Sequence, residues 1–319
     1  MRFKPSDYIK ITKTTIYNQN VLENIKINAL GDLHLSQNVS LKVTDNLKYQ
    51  LDKENANYIC LLGDLIDLPS YLYDEKNAYS LLIFIKSIAS IAPVIIVLGS
   101  HDFIDIDFQN HYNDAFWEEV SSLNNVYLLN DSILKNKDVL FMGYFQKYSY
   151  WYPYGEYVGK KEREDLEVQY QDLLQLKELY TDLPKNLPKI GLMHSAHFYK
   201  DERTVSLLKD YDMILCGHYH NGCIPAIWED VYSGNKGIIS PEKELCPELA
   251  RGNIELNTGT KLLISGGITK IQYCAPKFLW PFNSFCYQQM DTIVLTGDEC
   301  FIEEEITRKR VYVGKNKRP

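Results

Sequence analysis

Imidazole and carboxylate side chains recur in this sequence at one kind of place: directly after a short apolar run. Asp32-Leu33-His34 follows Ile25 to Leu30, and Gly63-Asp64-Leu65-Ile66-Asp67 follows Tyr58 to Leu62. Gly99-Ser100-His101-Asp102 follows Val94 to Leu98. His194 follows Ile190 to Met193, and Gly217-His218-Tyr219-His220 follows Met213 to Cys216. The chain has seven histidines, and only His111 and His197 stand elsewhere. A carboxylate beside apolar surroundings is costly unless a cation or a donor compensates it. Imidazole and carboxylate without thiolate suit borderline or hard divalent ions such as Mn2+, Fe2+, Co2+ or Zn2+. Taken singly, each place has a plain structural explanation. Asp32 could cap a helix, His194 could be a satisfied core histidine, and His218 and His220 could alternate by chance. Their shared position and order weigh against five coincidences.

Such side chains need elements that bring them together. The short apolar runs, several bounded by Gly, read as buried strands. Between them, Val39 to Leu51, Tyr79 to Ile91 and Asn113 to Leu123 carry helical apolar spacing. Val126 to Leu129 and Val139 to Gly143 read as further short strands. This is the βαβ rhythm of a largely parallel sheet with right-handed crossovers. In such a sheet ligands bind beyond the carboxyl ends of the strands. Asp32, Asp64, Ser100, His194, His218 and His220 can therefore meet although they are far apart in sequence.

Residues 145–187 interrupt the rhythm. Tyr148, Tyr150, Trp151, Tyr152 and Tyr154 form an aromatic loop, and Glu162 to Tyr180 reads as a long surface helix. The stretch 222–260 is weakly patterned. Lys261 to Ser265, Thr292 to Leu295 and Phe301 to Ile306 close the chain as strands, the last two as a hairpin over Thr296-Gly297-Asp298-Glu299. Ser265-Gly266-Gly267 could bring backbone near the site. We expect one domain over 1–310 with an insertion at 145–187, then a basic tail at 311–319.

Composition narrows the class. Of 319 residues, 45% are hydrophobic and 24% charged, an ordinary globular balance. A net charge of −8 disfavours broad attraction to nucleic acid or anionic membrane. The seven cysteines are scattered without a C-x-x-C pair, which fits a reducing compartment, so we expect the cytoplasm. No apolar run is long enough to insert into a membrane.

The order Asp-x-His, Gly-Asp-x-x-Asp, Gly-Asn-His-Asp/Glu, His and Gly-His-x-His resembles the signature of the calcineurin-like metallophosphoesterase superfamily, from about Ile25 to Ile306. The resemblance implies a four-layer αββα sandwich of two mixed β-sheets flanked by helices, with a dinuclear metal site. It implies Asp32, His34 and His220 on the first metal, and His194, His218 and the residue at position 100 on the second. Asp64 would bridge both, His101 would face the leaving group, and Asp67 would hold the other ring nitrogen of His101. Two divalent cations (Mn2+, Fe2+, Co2+ or Zn2+) about 3.5–4 Å apart would clamp a phosphoryl group and activate a bridging hydroxide. His101 would protonate the leaving oxygen as general acid.

The family has Asn where this chain has Ser100, a shorter and weaker neutral ligand. Three readings follow. One is a phosphohydrolase acting on a small phosphomonoester, phosphodiester or pyrophosphate. The second is a nuclease of the same superfamily, which would need a basic path to the metals. The third is a non-catalytic scaffold with a weakened second metal site.

Overall fold

The computed structural model describes residues 8–35, 41–104, 111–146, 158–179, 183–229, 231–232, 234–241, 244–268, 285–299 and 309–312. Two sheets organise them. The first contains β1 (Tyr8–Tyr17), β2 (Ile25–Leu30), β3 (Tyr58–Leu62), β4 (Val94–Val97), β5 (Val126–Leu128), β12 (Gln288–Thr296) and β13 (Lys309–Tyr312). The second contains β6 (Ser132–Lys135), β7 (Leu140–Gly143), β8 (Lys189–Leu192), β9 (Met213–Cys216), β10 (Gly252–Glu255) and β11 (Lys261–Ile264). Strand order is β13-β1-β12-β2-β3-β4-β5 in one and β10-β11-β9-β8-β7-β6 in the other. Both are mixed: β2 to β5 run parallel, as do β7, β8, β9 and β11, with antiparallel partners toward the margins.

Side-chain alternation along buried strands sets the layers. Ile59 and Leu61 of β3 join a cluster with Leu47 and Leu51 of α1 (Leu41–Glu54), Phe84 and Ile85 of α2 (Glu75–Ala89), and Trp117 of α3 (Asp114–Ser121). Cys60 and Leu62, on the opposite face, pack with Phe141, Ile190, Leu192 and Leu215 of the second sheet. The alternate residues of β9, Ile214 and Cys216, turn away from that layer. They meet Leu173 and Leu176 of α4 (Val158–Leu179) and Val205 of α5 (Glu202–Leu207). The result is the expected helix–sheet–sheet–helix sandwich. Because both faces are covered, β3 and β4 are buried along their whole length. Their runs are accordingly continuous and apolar.

Several boundaries differ from the sequence expectation. Helix α2 begins a turn before Tyr79, capped by the Asp74 carboxylate, which accepts from the N–H of Lys76 at 2.9 Å and of Asn77 at 3.3 Å. Its first turn is polar, so apolar spacing did not mark it. Strand β1 was not expected at all. Lys and Thr alternate with its apolar residues, and it gains its place by pairing in parallel with β12 from Ile9↔Gln288 to Tyr17↔Thr296. On its other side β12 pairs antiparallel with β2. Phe301 to Ile306 lie outside the described residues, as does the aromatic loop Tyr148 to Tyr154. Lys309–Tyr312 pairs with β1, so the expected tail boundary between 310 and 311 falls inside a strand.

Candidate metal centre

Strands β2, β3 and β4 of one sheet and β8 and β9 of the other end at the same place. Their connecting loops are tied to one another by main-chain bonds: Asp32 N–H to Gly63 O (3.0 Å), His34 N–H to Asp64 O (2.9 Å) and Gly217 N–H to His194 O (2.8 Å). The His218 N–H reaches both carboxylate oxygens of Asp32, at 3.0 and 3.1 Å. Gly63 allows this closeness. Its φ is +84°, and a Cβ there would stand 2.5 Å from the Gly99 nitrogen and 2.6 Å from His194 Nδ1.

Five residues of the cluster hold positive φ: Asp32 (54°), His34 (43°), Asp64 (51°), His218 (73°) and His220 (46°). Left-handed backbone is disfavoured for side chains with a Cβ, by about 1–2 kcal/mol each. Such conformations persist where the surroundings impose them, and they gather at functional sites.

The donor atoms form two fully buried groups, and a third, half-buried one of His34, Asp64 and His101 overlaps them. Ligand atoms of Asp32, His34 and His220 lie within 4.8 Å of one another, and so do those of Asp64, His194 and His218. In the second group, His194 Nδ1 lies 2.7 Å from Leu62 O. That bond places the proton on Nδ1 and leaves Nε2 as the donor atom. Nε2 is 3.2 Å from His218 Nδ1 and 3.1 Å from Asp64 Oδ2. The same Asp64 oxygen is 3.7 Å from His34 Nε2 in the other group. Its second oxygen accepts the His101 N–H at 2.9 Å. Thus one oxygen of Asp64 stands between the two groups while the other is fixed by backbone.

Electrostatics make this a place for cations. Asp32 and Asp64 are almost fully buried. Among the described residues, their recorded ion pairs are all with imidazoles. Burial pushes the Asp64 carboxyl up, but His194, His101 and His34 outweigh it and hold the carboxyl well below its usual range. Burial opposes charge on His194, yet Asp64 overcomes it and raises the imidazole to about 9. For His34, burial dominates, assisted by the His101 ring, and keeps the ring neutral. Two buried carboxylates and four buried imidazoles converge here, a donor set of the type that fits divalent ions.

The model of the calcineurin-like phosphoesterase family matches residues 25–222, more than half of the chain. The chain belongs to the calcineurin-like phosphoesterase family. It is a metal-dependent phosphoester hydrolase of that family. No curated protein is a significant match. Among solved structures, a dimetal phosphatase from Danio rerio is 12% identical with a TM-score of 0.47, covering 76% of this chain and 88% of its own. The phosphopantetheinyl hydrolase of Mycobacterium tuberculosis is 11% identical with a TM-score of 0.41, covering 81% and 90%. GAP50, the anchor in the inner membrane complex of Plasmodium, is 12% identical with a TM-score of 0.37, covering 76% and 71%.

The other motif residues of this phosphoesterase take definite places. His101 is half-buried, and its ring packs edge-on to His34 with centroids 4.7 Å apart. Its Nδ1 lies 2.6 Å from the main-chain carbonyl of Asp67. The Asp67 N–H is bonded to Leu35 O at 3.0 Å, which ties the backbone of this residue to the loop after β2. Burial pushes the Asp67 carboxyl up to about 6 against the pull of His101. Ser100 opens a short 3-10 turn, Ser100–Asp102, and is buried. Gly267 packs beside the Asp32 carboxylate, so Ser265-Gly266-Gly267 does bring backbone to the site.

Two residues had no assigned role in the sequence. Asp102 is fully buried and accepts N–H bonds from Leu65 (2.8 Å), Ile66 (3.2 Å) and Gly99 (2.8 Å). It stitches the β3 loop to the β4 loop. Gln146 clamps the peptide after His194, donating to Ser195 O at 2.9 Å and accepting from Ser195 N–H at 2.6 Å. The acidic position after His101 was a signal for the first. Nothing local marks Gln146, which is 49 residues from its partner.

Proposed function

We propose that this phosphoesterase hydrolyses a small phosphorylated substrate at two divalent cations. Asp32, His34 and His220 would hold the first, and His194, His218 and Ser100 the second. Asp64 would serve both. The observation that carries this reading is the single Asp64 oxygen 3.1 Å from His194 Nε2 and 3.7 Å from His34 Nε2. The cations, when bound, supply Lewis acidity, lowering the pKa of water and drawing charge from phosphoryl oxygens.

The chain's own groups do the rest. His101 is the most accessible imidazole of the cluster, and the Asp67 carbonyl holds its Nδ1–H. Nε2 of the imidazolium then has one proton to give to the leaving oxygen. The His101 backbone N–H keeps the Asp64 carboxylate in one orientation. The His194 N–H bond to Leu62 O does the same for that ring. Manganese is a suitable first metal to test, since it accepts mixed imidazole and carboxylate ligands. The negative net charge favours small substrates over long nucleic acid, and the scattered cysteines support a cytoplasmic setting. Among the described residues no helix is long and apolar enough to cross a membrane.

The deciding experiment combines metal analysis with hydrolysis of mono-, di- and pyrophosphate substrates under Mn2+. The expected result is close to two metals per chain and turnover of at least one substrate class. Absence of bound metal after replenishment would sink the two-cation reading.

A further inference from the structure

The last histidine of the cluster sits in a short turn that its own sequence does not stabilise. His220, Asn221 and Gly222 have φ of 46°, 58° and 59°, and Cys223 follows at 56°. Gly takes this conformation freely, and Asn tolerates it better than most, but a run of four requires outside support. Part of that support is a chain of polar side chains. Asn221 Nδ2 donates to Glu229 Oε1 at 2.9 Å. The other Glu229 oxygen accepts from Lys10 Nζ, also at 2.9 Å. The side chains of Lys10 and Glu229 are 12% and 5% exposed. Lys10 is fixed in turn, because β1 lies between β12 and β13 with Lys10 opposite Gln289 and Arg310.

We propose that Glu229, held by Lys10, is a positioning residue for His220. It locks Asn221 and so sets the direction of the neighbouring imidazole toward the Asp32 group. This inference rests on the two-cation reading above. Lys10 and Glu229 both lie outside the residues 25–222 that match the family. The anchor is therefore built by segments that the matched motifs do not include. A buried ion pair is weak evidence for stability, since desolvation offsets its attraction. Its two oxygens are each spent on one partner, so the geometry it imposes is definite.

The test uses the full chain and Mn2+ as probe, with a two-site binding isotherm, the Mn2+ dependence of hydrolysis and thermal unfolding of the metal-free protein. Lys10→Met with Glu229→Leu removes both members of the ion pair together; Arg251 and Asp291, which feel Glu229 and Lys10, stay in place. One of the two Mn2+ affinities should fall about tenfold to a hundredfold, as for other groups that orient ligands. The other should hold, and kcat at saturating Mn2+ should stay near wild type. Lys10→Met with Glu229→Gln keeps the acceptor for Asn221 and should restore affinity to within about threefold of wild type. Asn221→Gly keeps the positive φ and removes only the amide donor; it should reproduce the loss while leaving the ion pair intact. Wild-type affinity at both sites in either folded loss variant would overturn the proposal, as would a Gln variant as weak as the Leu variant. Failure of the wild-type chain to bind two Mn2+ would instead strike the two-cation reading itself.

Discussion

Asp64 is the residue on which the proposed chemistry turns. One of its oxygens faces both imidazole groups and the other is held by the His101 N–H. Asp64→Asn keeps the shape and removes the charge that would bind both cations. We expect turnover to fall on the order of a thousandfold or more, with unchanged circular dichroism. Retained activity would remove Asp64 from the centre. Ser100 stands where the resemblance to the family implies Asn. A serine hydroxyl reaches less far than an asparagine amide and is a weaker ligand. Ser100→Asn should tighten the second Mn2+ site, read as a lower half-saturating concentration in the two-site isotherm. If it weakens binding, Ser100 is tuned to this site. These positions stood out in the sequence because each lies inside a motif that follows an apolar run; their proposed roles come from the resemblance to the family. The Asp67 contact was legible only as far as the residue. Which of its atoms meets His101 depends on how the two loops sit against each other, and no spacing rule contains that.

At the scale of elements, the site is a set of strand ends and the bonds between their loops. Asp102 satisfies three buried N–H groups from two loops. Asp102→Ala leaves all three without that acceptor, at a cost of about 3 kcal/mol or more. The expected outcome is a Tm lower by several degrees and weaker Mn2+ binding, both measured on the purified variant. An unchanged Tm would show that water or a neighbouring group replaces the carboxylate. Gly63→Ala should be worse than an ordinary loop substitution, because the added methyl meets both the Gly99 nitrogen and His194. The elements themselves were mostly readable, since β2, β3, β4, β8 and β9 are short apolar runs between turn formers. Strand β1 was not, because its Lys and Thr content hides a pattern that makes sense only beside β12.

Across the whole molecule, the interface between β1, β12 and the end of β11 carries a buried carboxylate outside the candidate site. Asp291 is fully buried in the first sheet. Burial raises its pKa, while donors on Ser265 (2.6 Å), Thr12 and Gln289 (2.7 Å) pull against that shift. A carboxyl with a raised folded pKa binds its proton more tightly when folded than when unfolded. Stability therefore falls as pH rises from the ordinary carboxylate range, about 4, through the folded value. Asp291→Asn removes that dependence. Its Tm relative to wild type should rise between pH 4 and pH 8, followed by thermal unfolding across that range; a difference that shrinks with pH would contradict this sign. Chelation tests the metal at the same scale. If the cations bind only the folded chain, removing them should lower Tm, and Mn2+ should restore it.

The sequence by itself determined the buried strands and the cast of side chains, while the second sheet was implied only by the resemblance to the family. Apolar runs of four to six residues state which segments are buried on both faces, and the placement of His and Asp after them states which loops carry donors. Those are local properties, readable over a few residues. Tertiary structure alone decided which donors meet. Asp32 and His218 are 186 residues apart and touch because β2 and β9 end side by side in different sheets. It also decided that Lys10 and Glu229, 219 residues apart, brace the turn after His220. Strand order and register follow from burial summed over the whole core, and no short stretch of sequence contains that sum.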